Sequence, residues 1–176
     1  SKEIKKNNIF FGIKGIKIDG NKFANEAIKK GACISIIDKN YGTKLKNKIK
    51  VKNTLKFFTE CASKIRETSN IFAIGITGSA GKTSLKELLG QSLKKIYKTA
   101  YSKKSYNNKY GVPLSLFNIN QKDSFGIFEI GMDRKGEIDY LSNIIKPNIG
   151  LITNISYAHS ENFKNLFGIA KAKSEI

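Results

Sequence analysis

The chain has 176 residues, of which 40% are hydrophobic and 26% charged, so it can bury a core in one ordinary domain or two small ones. No apolar run approaches the roughly 18 residues of a membrane span, and the first residues do not resemble a signal peptide. The two cysteines, Cys33 and Cys61, have neither the spacing of a metal site nor that of a disulfide framework. We therefore expect a cytoplasmic protein without a membrane span.

The net charge of +18 raises the hypothesis of a nucleic-acid partner. Almost all of the positive charge is lysine, because arginine occurs only at Arg66 and Arg134. Lys, Asn and Ile are abundant together and share A/T-rich codons, so a biased genome explains the charge at least as well. The lysines are scattered, without the arginine–aromatic groove that stacks bases. We expect no nucleic-acid partner, and a basic RNA-binding module remains the alternative.

The first part of the chain alternates short β-rich segments with helical patterns. Strands are predicted at 8–13 and 31–37, helices at 21–30 and 53–66, and a loop with a short strand at 44–52. Asp19-Gly20 supplies a turn before the first helix, and Asn53 is a suitable N-cap for the second. The polar stretch 67–70 predicts a boundary between a small α/β domain at 1–68 and a second domain at 69–176.

The second part repeats a strand–helix unit. Strands are predicted at 71–76, 124–130 and 148–155, and helices at 83–96, 137–145 and 165–176. The first strand is apolar on both faces, as is typical of a central parallel strand. The helix at 83–96 is predicted to have Leu85, Leu88, Leu89, Leu93 and Ile96 on one side. The fold class is therefore α/β: a small N-terminal domain followed by a partial three-layer, P-loop-type ATPase domain. Ile176 falls inside a helical pattern, and Ser1 is not an initiator methionine, so we expect a piece of a longer protein.

The sequence G-S-A-G-K-T at 78–83 lies between the buried strand and a helix. Backbone N–H groups and the helix dipole converge on an anion at such a bend, and glycines let the backbone approach it closely. Ile76 occupies the first glycine position of the strict G-x-x-x-x-G-K-[ST] pattern, which leaves T-G-x-x-G-K-T. We expect ATP here, with Lys82 on the β/γ-phosphates and Thr83 on Mg²⁺. The predicted nucleotide-binding residues are Gly78, Ser79, Ala80, Gly81, Lys82, Thr83 and Ser84.

Two further side chains follow predicted strands. Glu129 lies near the carboxyl end of an apolar strand, where ligands bind in open α/β sheets, and its carboxylate is suited to hold Mg²⁺. The alternative is a carboxylate on an exposed strand end. His159, the only histidine, follows the strand at 148–155, and taken alone a solvated loop imidazole is the commoner case.

The last predicted helix carries a lysine within its apolar stripe. Lys173 shares one helical face with Leu166, Ile169, Ala170 and Ile176, whereas the neighbouring Lys171 points away from it. Burial disfavours a charged amine, and a neutral amine can react with CO₂ to form a carbamate. The alternative is a side chain that extends its ammonium into water.

The phosphate loop, together with T-N-I-S-Y-A-H-S-E-N-F at 153–163, resembles the Mur ligase family, cytoplasmic enzymes that build the peptidoglycan stem peptide. The resemblance implies a catalytic set of Lys82, Glu129, His159 and Lys173. It also implies two Mg²⁺ ions near Thr83, Glu129 and His159, and a carbamate on Lys173 that helps to organise a magnesium site.

A second motif, S-Y-N-N-K-Y-G-V-P at 105–113, resembles the N-N-x-x-G-V-P of family members that add D-alanyl-D-alanine, which implies substrate contacts by Asn107 and Asn108. The first part of the chain is similar to the family's domain for the uridine-nucleotide substrate, with Ser1 as a contact. The family's D-S-R start is altered here, because Asp is absent and Lys2 replaces Arg.

The resemblance thus implies a monomeric ATP-dependent amide ligase that joins UDP-N-acetylmuramoyl tripeptide to D-alanyl-D-alanine through an acyl phosphate. It further implies that a C-terminal domain is missing, so that residues 1–176 alone are inactive. The alternatives within the superfamily are the diaminopimelate- or lysine-adding ligase and folylpolyglutamate synthase.

Overall fold

The computed structural model describes residues 4–102, 104–157, 162–163 and 165–176. The chain forms two compact units, Ser1–Cys61 and Ala62–Ile176, and each unit contains one sheet of parallel strands. The division falls within a helix, slightly before the position expected from the sequence. The domain limits 1–68 and 69–176 stay a prediction.

The first unit is a three-stranded parallel sheet with short helices. Its strands are β1 (Ile9–Phe11), β2 (Ile34–Asp38) and β3 (Lys48–Val51), in that order across the sheet. The helix predicted at 21–30 is a 3₁₀ turn, Gly20–Phe23, followed by α1 (Ala24–Lys29), because Asp19 caps the turn and accepts from the Asn21 N–H at 2.9 Å. α2 (Thr54–Thr68) starts as predicted, with the Asn53 Oδ1 accepting from the Lys56 N–H at 2.9 Å.

The second unit is a four-stranded parallel sheet with helices on its faces. Its strands are β4 (Phe72–Thr77), β5 (Thr99–Tyr101), β6 (Phe125–Glu129) and β7 (Ile149–Ile152), and its other helices are α3 (Lys82–Lys94), α4 (Gly111–Leu116), α5 (Glu137–Ile145) and α6 (Leu166–Lys173). The strand order is β5-β6-β4-β7, so β4 is central, as its apolar sequence predicts.

Apolar side chains cover both faces of this sheet. Ile74, Ile76 and Ile127 pack against Leu85, Leu89 and Leu93 of α3. The alternate strand residues, among them Ala73, Phe128 and Ile130, belong to a larger cluster with α4, α5 and α6. Because successive strand residues point to opposite faces, these clusters form the two interfaces between the sheet and its helices in a three-layer domain.

Two predicted helical stripes are partly wrong. On α3, Leu88 is 63% exposed, because Gly90 faces the sheet and packs so closely that a Cβ there would lie 2.6 Å from the Tyr101 ring. Ile96 is 76% exposed and lies beyond Lys94, where α3 ends. On α6, Leu166 is exposed, since it lies in the first turn, before the part of the helix that joins the core at Ile169. None of the helices in the described part of the chain has the length and apolar character needed to cross a bilayer.

Candidate phosphate and metal site

The bend between β4 and α3 depends on glycine. Gly78 and Gly81 have φ values of 145° and 78°, a region that disfavours other residues. A Cβ on Gly78 would lie 1.8 Å from the Thr153 Oγ1, so no side chain fits there. The loop can therefore pack against Thr153 only because Gly78 carries no side chain, whereas Gly81 is required for its backbone conformation alone.

The segment after β7 holds this loop in place. The N–H groups of Ser79 and Ala80 donate to the main-chain and side-chain oxygens of Asn154 at 3.0 and 2.9 Å. The Thr153 Oγ1 donates to the Ala80 carbonyl at 2.6 Å. Sequence reasoning missed Thr153 and Asn154 as site residues. Their place at the end of a predicted strand, within the segment 153–163 that resembles the family, was the available signal.

The start of α3 offers an anion site. Gly81 is the N-cap residue, and the first N–H groups of a helix have no carbonyl partner within it, so the positive end of the helix dipole faces the loop. The Lys82 Nζ lies across the loop and donates to the Gly78 carbonyl at 2.6 Å and the Ser79 carbonyl at 3.4 Å. Backbone donors and an ammonium thus lie together, which suits a phosphate group.

Thr83 and Glu129 meet beside this helix start. The Thr83 Oγ1 donates to the Glu129 Oε2 at 2.8 Å, and Glu129, the last residue of β6, is only 2% exposed. Glu129 is therefore not the exposed strand-end carboxylate of the alternative interpretation. The structure brings together the two side chains that the sequence predicts as metal ligands on β6 and α3.

The two predicted substrate asparagines have different partners. The Asn107 Nδ2 donates to the Glu129 Oε1 at 2.9 Å, and the Asn107 carbonyl accepts from the Gly131 N–H at 2.8 Å. The Asn108 Oδ1 accepts from the N–H groups of Tyr110 and Gly111 at 3.1 and 3.0 Å, at the start of α4. Asn107 thus orients Glu129, whereas the Asn108 oxygen stabilises a turn. Substrate binding by either residue stays a prediction.

The donor set fits Mg²⁺. Thr83 and Glu129 supply hard oxygen ligands, and no group of three His, Cys, Asp or Glu side chains suited to a metal occurs among the described residues. Mg²⁺ is commonly held by one or two carboxylates, with phosphates and water completing its shell. His159 and Ser1, predicted as a metal ligand and a substrate contact, lie outside the described residues, and their roles stay predictions.

Lys173 is buried, not extended into water. It is 2% exposed, and burial, assisted by the positive charge of Lys82, lowers its pKa from 10.5 to about 8. The Lys82 ammonium thus opposes the charged form of the buried α6 lysine. At this pKa a substantial fraction of the amine is neutral near pH 8.

Lys86 is a buried lysine of α3 that sequence reasoning missed. It is completely inaccessible to solvent, and its Nζ lies 4.0 Å from the Glu129 Oε2. Its spacing could have identified it, because a residue three positions after Thr83 and four after Lys82 lies on the same side of a helix as those two residues.

Comparison with known proteins agrees with this geometry. The family model "Mur ligase middle domain" matches residues 76–176, and "Mur ligase family, catalytic domain" matches residues 1–66. The UDP-N-acetylmuramoyl-tripeptide--D-alanyl-D-alanine ligase of Buchnera aphidicola subsp. Baizongia pistaciae is 41% identical over 96% of this chain and 37% of its own length.

Two solved structures have the same fold. MurF from Acinetobacter baumannii matches 99% of this chain and 39% of its own, with a TM-score of 0.90 and 30% identity. MurF ligase from Thermotoga maritima in complex with ADP has a TM-score of 0.86 and 28% identity, over 99% of this chain and 41% of its own. The chain spans between 37% and 41% of the length of the curated relatives it matches. Since one family model covers more than half of its residues, the chain belongs to the Mur ligase family.

Proposed function

We propose that the full-length protein is an ATP-dependent amide ligase that joins UDP-N-acetylmuramoyl tripeptide to D-alanyl-D-alanine. The observation that carries this proposal is the contact of the Thr83 hydroxyl with the Glu129 carboxylate beside the phosphate loop. The relatives named for this reaction support the choice of substrates. The asparagine pair at 107–108, next to this contact, distinguishes the proposal from the other superfamily reactions.

The chemistry has two steps. The terminal carboxylate of the tripeptide attacks the γ-phosphorus of ATP, which forms an acyl phosphate and releases ADP. The dipeptide amine then attacks the acyl carbon, and phosphate leaves as the amide bond forms and the amine loses a proton. The N–H groups at the start of α3, together with Lys82, bind the triphosphate and stabilise the negative charge on the transferring phosphoryl group.

Thr83 and Glu129 would hold one Mg²⁺, and His159 would serve the second. When bound, these ions would supply positive charge that neutralises the phosphate oxygens. Asn107 supports the first ion indirectly, because its amide fixes the Glu129 Oε1 and leaves the other carboxylate oxygen directed toward Thr83.

We further propose that Lys173 carries a carbamate that helps to organise the metal site. Its burial and its pKa of about 8 support this, because CO₂ reacts with the neutral amine. Intact-mass spectra of the full-length protein in bicarbonate, under gentle conditions, should show a CO₂ adduct that Lys173→Ala removes. Absence of the adduct, together with full activity of Lys173→Ala, would refute the modification.

The remaining site roles belong to the same proposal. Asn108 and Ser1 would contact the peptide and the uridine nucleotide, and the enzyme would work as a cytoplasmic monomer. Neither a nucleic-acid partner nor a membrane span is needed for this reaction, since both substrates and ATP are soluble.

The test is a substrate panel with the full-length protein. Every mixture contains Mg·ATP. The first combines UDP-N-acetylmuramoyl tripeptide with D-alanyl-D-alanine, and the second combines UDP-N-acetylmuramoyl dipeptide with lysine or diaminopimelate. A third mixture, of a folate with glutamate, tests for folylpolyglutamate synthase. We expect ADP release, measured in a coupled assay, only with the tripeptide and D-alanyl-D-alanine. Turnover that requires a single amino acid would assign another superfamily reaction. Tight, strongly salt-dependent RNA binding without a need for Mg·ATP would favour the basic module.

A further inference from the structure

Lys86 is a buried cation with no part in the reaction as described above. It lies one turn after Lys82 on α3 and is fully enclosed, whereas most lysines keep the ammonium in water. A buried charge is costly unless charged or polar partners surround it. The partners of this ammonium therefore indicate its role.

The first group of partners lies after β5. The Lys86 Nζ donates to the Lys104 carbonyl at 2.9 Å and lies 3.4 Å from the Ser102 Oγ. The Ser102 Oγ donates to the same carbonyl at 2.8 Å, which closes a small network. Through these bonds α3 anchors the segment that follows β5.

That segment carries two contacts of the metal site. The Ser105 Oγ lies 3.0 Å from the Thr83 Oγ1, and the Asn107 Nδ2 donates to the Glu129 Oε1. A shift of the anchored segment would move both groups. Lys86 therefore acts on the site mechanically, through the main chain at Lys104.

The second group of partners is a pair of carboxylates. The Lys86 Nζ lies 3.3 Å from the Glu87 Oε1 and 4.0 Å from the Glu129 Oε2. The Glu87 side chain is 32% exposed, whereas that of Glu129 is 1% exposed, so solvent screens only the first pair strongly. The Glu129 Oε2 is also the oxygen that accepts from Thr83.

We propose that Lys86 is a positioning residue of the Mg²⁺–triphosphate site. Its charge fixes the Glu129 carboxylate, and its hydrogen bonds fix Ser102 and the Lys104 main chain against the helix that begins at the phosphate loop. The inference rests on the nucleotide half of the proposed function and not on the choice of peptide substrate. Loss of a group that orients a metal ligand commonly lowers metal affinity or activity by about 10–100-fold.

The experiment compares Lys86→Met with Lys94→Met in the full-length protein. Lys94 lies on the same helix but is exposed, so its replacement controls for the loss of one positive charge. Two readouts are needed: the Mg²⁺ dependence of binding of a fluorescent ATP analogue, and the Mg²⁺ dependence of ADP release. We expect Lys86→Met to need at least about 10-fold more Mg²⁺ in both, while Lys94→Met matches the wild type.

A double variant tests whether Lys86 acts through Glu129. In a Glu129→Gln background, the further change Lys86→Met should cause little additional loss of Mg²⁺-dependent binding. An equally large additional loss would overturn this part of the inference. A lowered melting temperature with unchanged Mg²⁺ dependence would overturn the whole of it, because Lys86 would then only stabilise the fold.

Lys86→Gln serves if Lys86→Met does not fold. Glutamine keeps an N–H donor for the Lys104 carbonyl but removes the charge next to Glu129, so the same rise in Mg²⁺ requirement is expected. Wild-type Mg²⁺ dependence in this variant would refute the role of the charge. The binding readout needs no peptide, so a wild-type protein that binds Mg·ATP without ligating D-alanyl-D-alanine would refute the proposed function and leave this comparison valid.

Discussion

Gly78 and Gly136 both have a positive φ, but their surroundings differ. At Gly78 a Cβ would collide with the Thr153 Oγ1, while at Gly136, with φ 84°, it would meet nothing within 4 Å. We expect Gly78→Ala to displace the phosphate loop and to weaken Mg·ATP binding by at least about 10-fold, a tenfold change being about 1.4 kcal/mol.

The matched control for this loop is Gly136→Ala. It should cost about 1–2 kcal/mol of stability from the left-handed backbone alone and leave nucleotide affinity unchanged. Titration with a fluorescent ATP analogue and thermal unfolding would measure the two effects. Equal nucleotide affinities in the two variants would contradict the steric argument.

Lys82 should be required for turnover and not for folding. Removal of one preorganised donor to developing charge commonly costs on the order of 10²–10³ in rate. Lys82→Ala in the full-length protein should therefore lose at least this factor in a coupled ADP assay, with an unchanged melting temperature. Lys94→Ala, on the exposed side of α3, is the control. Near-normal turnover of Lys82→Ala would refute the role of the ammonium.

The lowered pKa of Lys173 predicts that the stability of the protein depends on pH. Burial and the Lys82 charge lower its pKa from 10.5 to about 8. Below about pH 8 the amine is charged in both the folded and the unfolded protein, and the buried charge destabilises the folded state. Between about pH 8 and 10.5 the unfolded chain binds more protons, so the free energy of unfolding should rise with pH in this window.

Lys173→Met should remove this rise, because its side chain does not titrate. Denaturant unfolding at several pH values between 8 and 10, in CO₂-free buffer, measures the difference between wild type and variant. Lys171→Met, on the exposed side of α6, should keep the wild-type slope. An identical pH slope in wild type and Lys173→Met would show that the lysine is not titrating in a buried environment.

Residues with a strong local signal could be predicted from the sequence. The location of Lys82 and Thr83 follows from the glycine bend that precedes them. The location of Glu129 follows from the end of a predicted strand. Lys86 was not predicted, because its partners Ser102 and Lys104 follow a strand of three residues, too short to be recognised from its sequence. The role of Asn107 toward Glu129 was likewise hidden, because the pair depends on long-range strand order.

At the scale of elements, the orientation of α3 shows how tertiary packing overrides a helical pattern. The sequence indicates one stripe of Leu85, Leu88, Leu89, Leu93 and Ile96, but Leu88 and Ile96 are exposed. The buried side of α3 also includes Lys86 and Gly90, which a pattern based on apolar residues does not identify. On this side of α3, Lys86 donates to the Lys104 carbonyl and Gly90 packs against the Tyr101 ring, two contacts that an apolar pattern does not predict.

Arg66 links the end of α2 to the end of α5. Its Nε donates to the Ile145 carbonyl at 2.6 Å, and its Nη2 donates to the Lys146 carbonyl at 3.0 Å. Both carbonyls lie at a helix end, where intrahelical donors are lacking. Arg66→Met would leave them without this donor, and we expect a loss of about 1–3 kcal/mol in the free energy of unfolding.

Arg134→Met is the control for this prediction, because the other arginine of the chain is exposed and its replacement should change stability by less than about 0.5 kcal/mol. Urea unfolding of the full-length variants, followed by circular dichroism, measures both. If the two arginine variants unfold at the same urea concentration, the proposed link between the helices contributes nothing.

At the scale of the whole second unit, parallel strand direction creates the site. The carboxyl ends of all four strands lie at one edge, and each end supplies a part: Ser102 after β5, Glu129 on β6, the phosphate loop after β4, and Thr153 after β7. The alternation of strands and helices predicted this edge from the sequence. The order of strands within the sheet, which decides the neighbours of Glu129, could not be predicted in the same way.

In the proposed reaction, Thr83 and Glu129 jointly hold a metal ion against the triphosphate. A crystal structure of the full-length protein with Mn²⁺ and a non-hydrolysable ATP analogue tests it most directly, because the anomalous signal locates the ion. We predict an ion about 2.1 Å from both the Thr83 Oγ1 and a Glu129 carboxylate oxygen. A nucleotide bound at the 78–83 loop with its metal ion coordinated by neither residue would contradict the account.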